Sequence, residues 1–126
     1  MRLLLDTVTF VWSIGSPDRI SAKAMRLLRD REIKLELSAI SLAEIAIKHK
    51  LGKLTYSTED VLIGLADLEI SVLPYTADHG FQLFRMPVHH NDPFDRQIIA
   101  QAVSEDIPVV TSDAKFKLYK EVQVIW

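Results

Sequence analysis

The stretch RLLLDTVTFVW, residues 2–12, runs three leucines directly into an aspartate. A short, uninterrupted apolar run is typical of a strand that is buried on both faces, as the strands of a parallel sheet are. Asp6 interrupts the apolar stretch, and no small-residue cleavage pattern follows. We therefore interpret this stretch as a strand and not as a signal peptide. The residues after Asp6 have the length of a short helix. The sequence therefore begins with a buried strand, a carboxylate at its end and a helix.

Four more segments have the composition of short buried strands, and helical patterns lie between them. The predicted strands are residues 2–6, 34–39, 69–74, 108–113 and 122–126. The predicted helices are residues 8–14, 20–32, 41–53, 57–68, 77–86 and 92–106. Strands that alternate with helices need crossover connections, which favour a mainly parallel sheet covered on both faces. We therefore predict an α/β fold with about five strands, in one domain that spans residues 1–126.

Composition excludes several classes of protein. The 126 residues include no cysteine, so neither disulfides nor thiolate metal sites are available. No stretch approaches the roughly 18 apolar residues of a membrane span, so we expect a cytoplasmic protein without a membrane partner. The net charge of −2 does not indicate a general polyanion-binding surface. Basic residues do gather in residues 26–34 and 48–53, where they suit either a solvated helix face or local phosphate binding.

Five carboxylates fall where the predicted topology brings them together. They are Asp6 and Asp113 at the ends of two strands, and Glu44, Asp92 and Asp95 near the starts of two helices. The carboxyl ends of parallel strands share one edge with the starts of the helices that follow, and ligands bind at that edge where the strand order reverses. The last long helix descends antiparallel to the strand that it feeds, so it begins at the same edge. We therefore predict five carboxylates on one rim of the sheet.

Each carboxylate also has an ordinary structural explanation. Ser41 and Glu44 fit a capping box, Asp92 and Asp95 suit the start of a helix, and the acid after the fourth strand fits a turn. Asp6 is harder to explain in this way, because a carboxylate beside the core needs a compensating partner. Five converging carboxylates would repel one another. A bound divalent cation relieves that repulsion, and oxygen ligands favour magnesium or manganese over zinc.

Other site chemistries have little support in the sequence. It contains no cysteine nucleophile, no GxSxG elbow and no glycine-rich phosphate loop. His89 and His90 are adjacent, so in a loop or strand they point in different directions, and we interpret them as part of a polar loop. His49 and His79 have no partner at metal-ligand spacing. What remains is carboxylate-held magnesium, which activates water and stabilises the leaving oxygen when a phosphodiester is cut.

Four blocks of the sequence resemble the PIN-domain ribonucleases and, within that family, the VapC-type toxins of toxin–antitoxin pairs. The blocks are LLLDT (3–7), SAISLAEIAIKHKLGKL (38–54), HHNDPFDRQIIAQA (89–102) and VVTSD (109–113). The resemblance implies a three-layer α/β/α sandwich, usually dimeric, whose acidic pocket holds Mg²⁺ or Mn²⁺ and cleaves RNA. It further implies that the chain is the toxin of a type II pair, which a cognate antitoxin binds and blocks.

The resemblance also assigns residues. The acidic quartet of the family, catalytic and metal-binding, falls on Asp6, Glu44, Asp95 and Asp113. Auxiliary positions fall on Asp92, Thr7, Thr111 and Ser112. Charge suggests Arg96, Lys48 and Lys50 as RNA-binding residues, although a basic residue on an exposed helix face has the same pattern. Glu44 would coordinate a second ion or orient the attacking water.

Three positions depart from the pattern of related toxins, and two other readings stay open. Val8 stands where a histidine is frequent, Ala43 where an aromatic residue is common and Asn91 where a basic one is common, but no carboxylate is missing. A catalytically inactive PIN-like protein-binding module is one alternative. A magnesium-dependent phosphatase of the haloacid dehalogenase type is the other, and it needs an acid at position 8. Apolar side chains on residues 41–51 and 61–68 are available for a dimer interface.

Overall fold

The computed structural model describes every residue, Met1–Trp126. Its five strands are β1 Arg2–Leu5, β2 Lys34–Ser38, β3 Ser71–Leu73, β4 Val109–Val110 and β5 Val124–Ile125. They form one sheet in the order β3-β2-β1-β4-β5, and every neighbouring pair is parallel. The predicted parallel sheet of five strands is therefore confirmed.

Six α-helices connect these strands. They are α1 Thr7–Gly15, α2 Ala22–Leu28, α3 Ala39–Lys50, α4 Thr58–Asp67, α5 Ala77–Arg85 and α6 Pro93–Glu105. Two short 3₁₀ helices, Pro17–Arg19 and Ala114–Leu118, complete the secondary structure. The second helix is shorter than predicted, because it ends at Leu28 and leaves Arg31 exposed outside it. None of the helices combines the length and the apolar composition needed to cross a membrane.

The central strand β1 separates two apolar cores. Leu3 and Leu5 are fully buried against residues of α1 to α4, whereas Leu4 is buried against residues of α5 and α6. Successive side chains of a strand point to opposite faces, so the run of three leucines supplies both cores. The chain is therefore a three-layer α/β/α sandwich, as the sequence predicted.

The helix α3 begins earlier than the sequence indicated. Strand β2 passes into α3 without a loop, and Ser38, the last strand residue, caps the helix by accepting a hydrogen bond from the Ile40 amide at 2.9 Å. The prediction that Ser41 is the cap is wrong. Glu44 lies in the second turn and not in the first, so Ser41 and Glu44 do not form a capping box.

The strand order reverses between β1 and β4. The chain moves from β1 through β2 to β3 on one side, and then returns to place β4 against the opposite side of β1. The Asp6 amide donates to the Val110 carbonyl at 3.2 Å, which holds the ends of these two strands together. Ligands of parallel α/β sheets bind beyond such a reversal, so this edge is the place to look for a site.

Candidate active site

Asp6 is buried at the end of β1, with 3% of the residue exposed. It caps α1, since Oδ1 accepts from the Thr9 amide at 2.9 Å, while Oδ2 accepts from the Thr111 hydroxyl at 2.6 Å. Burial raises the pKa of Asp6, and the negative charge of Asp113 raises it further, whereas the hydrogen bonds from Thr111 and Thr9 lower it. Both carboxylate oxygens are thus held in place inside the protein.

Thr111 connects Asp6 to Asp113. Its hydroxyl donates to Asp6 and also accepts from the Asp113 amide at 3.0 Å. Asp113 caps the 3₁₀ helix Ala114–Leu118, because Oδ1 accepts from the Lys115 amide at 2.9 Å. Ser112, between them, is exposed. The hydroxyl of Thr111 therefore fixes two of the acids from the carboxyl ends of β1 and β4 relative to each other.

Glu44 reaches the same edge from α3. It is 4% exposed, and its Oε2 forms an ion pair with Nζ of Lys48, one helical turn further on. Its other oxygen, Oε1, is buried and has no hydrogen-bond partner. The Thr7 hydroxyl donates to Ser41 Oγ at 2.8 Å and so ties the start of α1 to α3. Lys48 therefore holds one oxygen of Glu44, while the other oxygen lacks a partner.

Asp92 and Asp95 begin α6, as the sequence predicted. Asp92 is the cap, because its Oδ1 accepts from the Phe94 and Asp95 amides at 2.9 and 3.0 Å, and Pro93 follows it in the first turn. Burial, together with negative charge nearby, raises the pKa of Asp95 to about 7. The charges responsible are those of Asp92, Glu44, Asp6 and Asp113. These four carboxylates therefore lie near enough to Asp95 to act on its charge, and we call the set of five the acidic rim.

The carboxylates of the acidic rim are of the kind that binds a hard divalent cation, but their side chains are not arranged as a formed metal site. No three Asp, Glu or His side chains stand at the spacing of a formed metal site. Several of the oxygens are engaged by protein donors, as both oxygens of Asp6 are. The unpartnered Oε1 of Glu44 and the raised pKa of Asp95 both indicate that the negative charge of the rim is only partly compensated within the chain. Oxygen donors of this kind are those that magnesium and manganese prefer.

The three basic residues predicted to bind RNA lie in different surroundings. Lys48 is paired with Glu44, and Arg96 donates through Nη1 to the Pro87 carbonyl at 2.9 Å and to the Tyr119 hydroxyl at 3.1 Å. Lys50 is exposed at the end of α3 and forms no ion pair. The structure does not test a role in RNA binding for any of them, so that assignment stays a prediction.

The sequence interpretation missed His90 and Tyr119. The side chain of His90 is only 8% exposed, and its Nδ1 lies 2.8 Å from the Tyr119 hydroxyl. Its Nε2 lies 3.7 Å from Asp95 Oδ2. Burial lowers the pKa of His90. Both histidines lie in a loop, as predicted, but the sequence did not indicate that His90 is buried, whereas its neighbour His89 is exposed.

Residues 3–122 match the PIN domain family. The chain belongs to this family. The likeness extends to the VapC-type members at the level of fold, since the chain resembles VapBC2 from Rickettsia felis bound to a promoter DNA fragment, with a TM-score of 0.76, 20% identity and coverage of 99% of this chain and 98% of that one.

Two further solved structures share this PIN fold. VapBC-1 from nontypeable Haemophilus influenzae has a TM-score of 0.71 and 20% identity, covering 99% of this chain and 97% of that one. Mycobacterium tuberculosis VapC20, a toxin that cleaves the sarcin-ricin loop, has a TM-score of 0.61 and 18% identity, covering 96% of this chain and 98% of that one. No curated protein matches the chain by sequence.

Proposed function

We propose that this PIN-domain protein is a divalent-metal-dependent endoribonuclease and the toxin of a type II toxin–antitoxin pair. The observation that carries the proposal is the gathering of Asp6, Glu44, Asp95 and Asp113 where the strand order reverses, with the pKa of Asp95 raised to about 7. Four carboxylates that share so little positive charge are poorly suited to a purely structural role. They are well suited to hold a cation.

Asp6, Asp95 and Asp113 would hold a Mg²⁺ or Mn²⁺ ion directly or through water, and Glu44 would complete the site through its unpartnered oxygen. When bound, such an ion lowers the pKa of water and stabilises the oxygen that leaves a phosphodiester. The other residues of the site position these acids. Thr111 keeps Asp6 and Asp113 in register, and Asp92 holds the first turn of α6 so that Asp95 faces the other acids.

The family also bears on the proposed substrate and partners. The solved VapBC structures contain an antitoxin together with the toxin, which supports a cognate antitoxin as the partner of this chain. A basic side chain of that antitoxin placed on the acidic rim would neutralise it. We propose RNA as the substrate, the cytoplasm as the place of action and a homodimer as the assembly. Lys48, Lys50 and Arg96 remain the candidates for contacts to the RNA backbone, and such contacts weaken with salt.

Asp6→Asn tests the proposed activity. The amide keeps one oxygen to cap α1 and removes the charge, so we expect cleavage to fall by at least about a thousandfold while the fold persists. The assay follows cleavage of structured and unstructured RNAs with Mg²⁺, Mn²⁺ or a chelator. Asp67→Asn, at the exposed end of α4, is the matched control and should keep full activity. Cleavage that survives Asp6→Asn, or that persists in chelator, would contradict the proposal.

The same assay separates the catalytically inactive alternative. A binding module would capture an antitoxin without cleaving any RNA under any metal condition. The phosphatase alternative has weaker chemical support, since residue 8 is a valine on the exposed side of α1 and supplies no second acid.

A further inference from the structure

We propose that Tyr119 is a positioning residue for Asp95 and that it acts through His90. The inference deepens the proposed metal-dependent function and rests on it. Tyr119 follows the 3₁₀ helix Ala114–Leu118 and is 1% exposed. Its hydroxyl lies 2.8 Å from His90 Nδ1 and 3.1 Å from Arg96 Nη1. The loop before α6, the first turns of α6 and the chain after β4 therefore meet at one phenol oxygen.

The donors in this cluster fix the tautomer of His90. A guanidinium has no acceptor, so Arg96 donates to the phenol oxygen. The Tyr119 proton then has His90 Nδ1 as its available partner, and that nitrogen accepts it. An imidazole whose Nδ1 accepts a hydrogen bond carries its hydrogen on the other nitrogen, Nε2. Tyr119 thus makes Nε2 the donor nitrogen of His90 and holds the orientation of the imidazole ring.

The Nε2–H group of His90 faces Asp95. Nε2 is buried without a hydrogen-bond partner and lies 3.7 Å from Asp95 Oδ2. That distance exceeds hydrogen-bond length, and a buried donor without a partner is unfavourable. A small rotation of the Asp95 carboxylate toward Nε2 would satisfy both groups. One oxygen of Asp95 would then be held by His90, and the other would be free for a cation.

This arrangement affects how tightly a metal is bound. Carboxylates that bind metals are usually oriented by hydrogen bonds from neighbouring groups, and the loss of such a neighbour lowers metal affinity by about 10–100-fold. Tyr119 holds the ring of His90, and His90 holds Asp95. Neither Tyr119 nor Arg96 needs to touch the cation for this effect, so Tyr119 is a positioning residue and not a catalytic one.

The test is a double-mutant cycle on Mn²⁺ affinity, measured from the EPR signal of free Mn²⁺ without RNA. Tyr119→Phe keeps the ring and removes the hydroxyl, and we expect about tenfold weaker binding. His90→Ala should lose at least as much, and the double variant should bind no more weakly than His90→Ala alone. Tyr75→Phe is the matched control with unchanged affinity, since the Tyr75 hydroxyl has no hydrogen-bond partner and its ring lies 5.7 Å from that of His79.

A conservative variant supplies a second measurement. The side-chain amide of His90→Gln places a donor near the position of Nε2, so most of the Mn²⁺ affinity should return, and it should no longer depend on the Tyr119 hydroxyl. If Tyr119→Phe does not fold, the difference between His90→Gln and His90→Ala still decides whether a donor at this position supports Asp95. The ¹⁵N chemical shifts of His90 should report a protonated Nε2 in the unmodified protein and a mixture of tautomers in Tyr119→Phe.

Three results would overturn the inference. If Tyr119→Phe lowers the Mn²⁺ affinity equally in the unmodified protein and in His90→Ala, Tyr119 does not act through the imidazole. Nitrogen couplings from His90 in the spectrum of bound Mn²⁺ would make His90 a direct ligand. Unchanged affinity in Tyr119→Phe and His90→Ala would remove the positioning role and leave the proposed function standing. Failure of the unmodified protein to bind Mn²⁺ would instead remove both.

Discussion

Two parts of the molecule concentrate carboxylates, and they balance the charge in opposite ways. The first is the acidic rim at the carboxyl edge of the sheet. The second, which we call the paired network, joins α5 and α6 to β1 and β2 through Arg2, Glu36, His79 and Glu105. In the paired network Arg2 binds Glu36 at 2.7 Å and Glu105 at 3.1 Å, and His79 Nε2 lies 3.1 Å from Glu105. Every carboxylate there has a partner within the chain.

The pKa values express this difference. Hydrogen bonds from His79 and from Arg2 lower the pKa of Glu105, whereas burial and neighbouring acids raise the pKa of Asp95 to about 7. The rim contains one ion pair with a lysine or arginine, between Lys48 and Glu44. The carboxylates of the paired network are thus compensated within the chain, whereas those of the rim have one basic partner, Lys48.

The largest effect is expected when the paired network is broken. Arg2→Met leaves Glu36, 3% exposed, without its bidentate partner, and we expect the free energy of unfolding to fall by about 3 kcal/mol. Lys34, 3.9 Å from Glu36, limits the loss. Urea denaturation at pH 7 measures it. Arg31→Met is the control, because its ion pair with Glu69 is exposed and should contribute less than about 0.5 kcal/mol.

A smaller effect of opposite sign is expected in the rim. Because the pKa of Asp95 is raised in the folded protein, folding favours its protonated form, and this contribution is lost as the pH rises from about 4 through about 7. Asp95→Asn should therefore stabilise the metal-free protein at pH 8 by about 2 kcal/mol and by less than half as much at pH 5. Urea denaturation in chelator at the two pH values measures the difference. Equal effects at pH 5 and pH 8 would contradict the assignment of the charge to Asp95.

The smallest of the three effects concerns the proposed cation. At ten times its Kd, Mn²⁺ should stabilise the unmodified protein at pH 8 by about 1.4 kcal/mol, since it binds only the folded state. The gain should shrink at pH 5, where protons compete for Asp95, and should be small in Asp95→Asn. Thermal unfolding with and without Mn²⁺ measures it. Equal stabilisation of Asp95→Asn would place the cation elsewhere.

The local sequence pattern predicted those features of the fold that depend on residues adjacent in the chain, such as the start of a helix. The start of α6 was recognisable because Asp92 and Pro93 suit the first two positions of a helix in any protein. The start of α3 was not, because Ser38 and Ser41 are both good caps. Ser41 instead receives a hydrogen bond from Thr7, a residue 34 positions away, which no helical rule detects.

Contacts between distant residues explain the rest. The burial of His90 could not be predicted, because its partner Tyr119 is 29 positions further on. The buried Glu36 is likewise paired across two neighbouring strands with Arg2. The gathering of acids on one rim could be predicted, since it follows from parallel topology alone. The tautomer of His90 and the pairing of Lys48 could not, since they depend on how side chains pack.

The pairing of β4 with β1 has a consequence for the order in which the protein is made. Asp6 and Thr111, whose side chains are hydrogen-bonded to each other, lie 105 residues apart in the chain. A ribosome completes β1, β2 and β3 long before it adds residues 109–113, so a growing chain carries Asp6 and Glu44 without Asp113. Contacts between such distant residues also form late in folding. The complete set of acids therefore forms only after residues 109–113 have been synthesised and β4 has paired with β1.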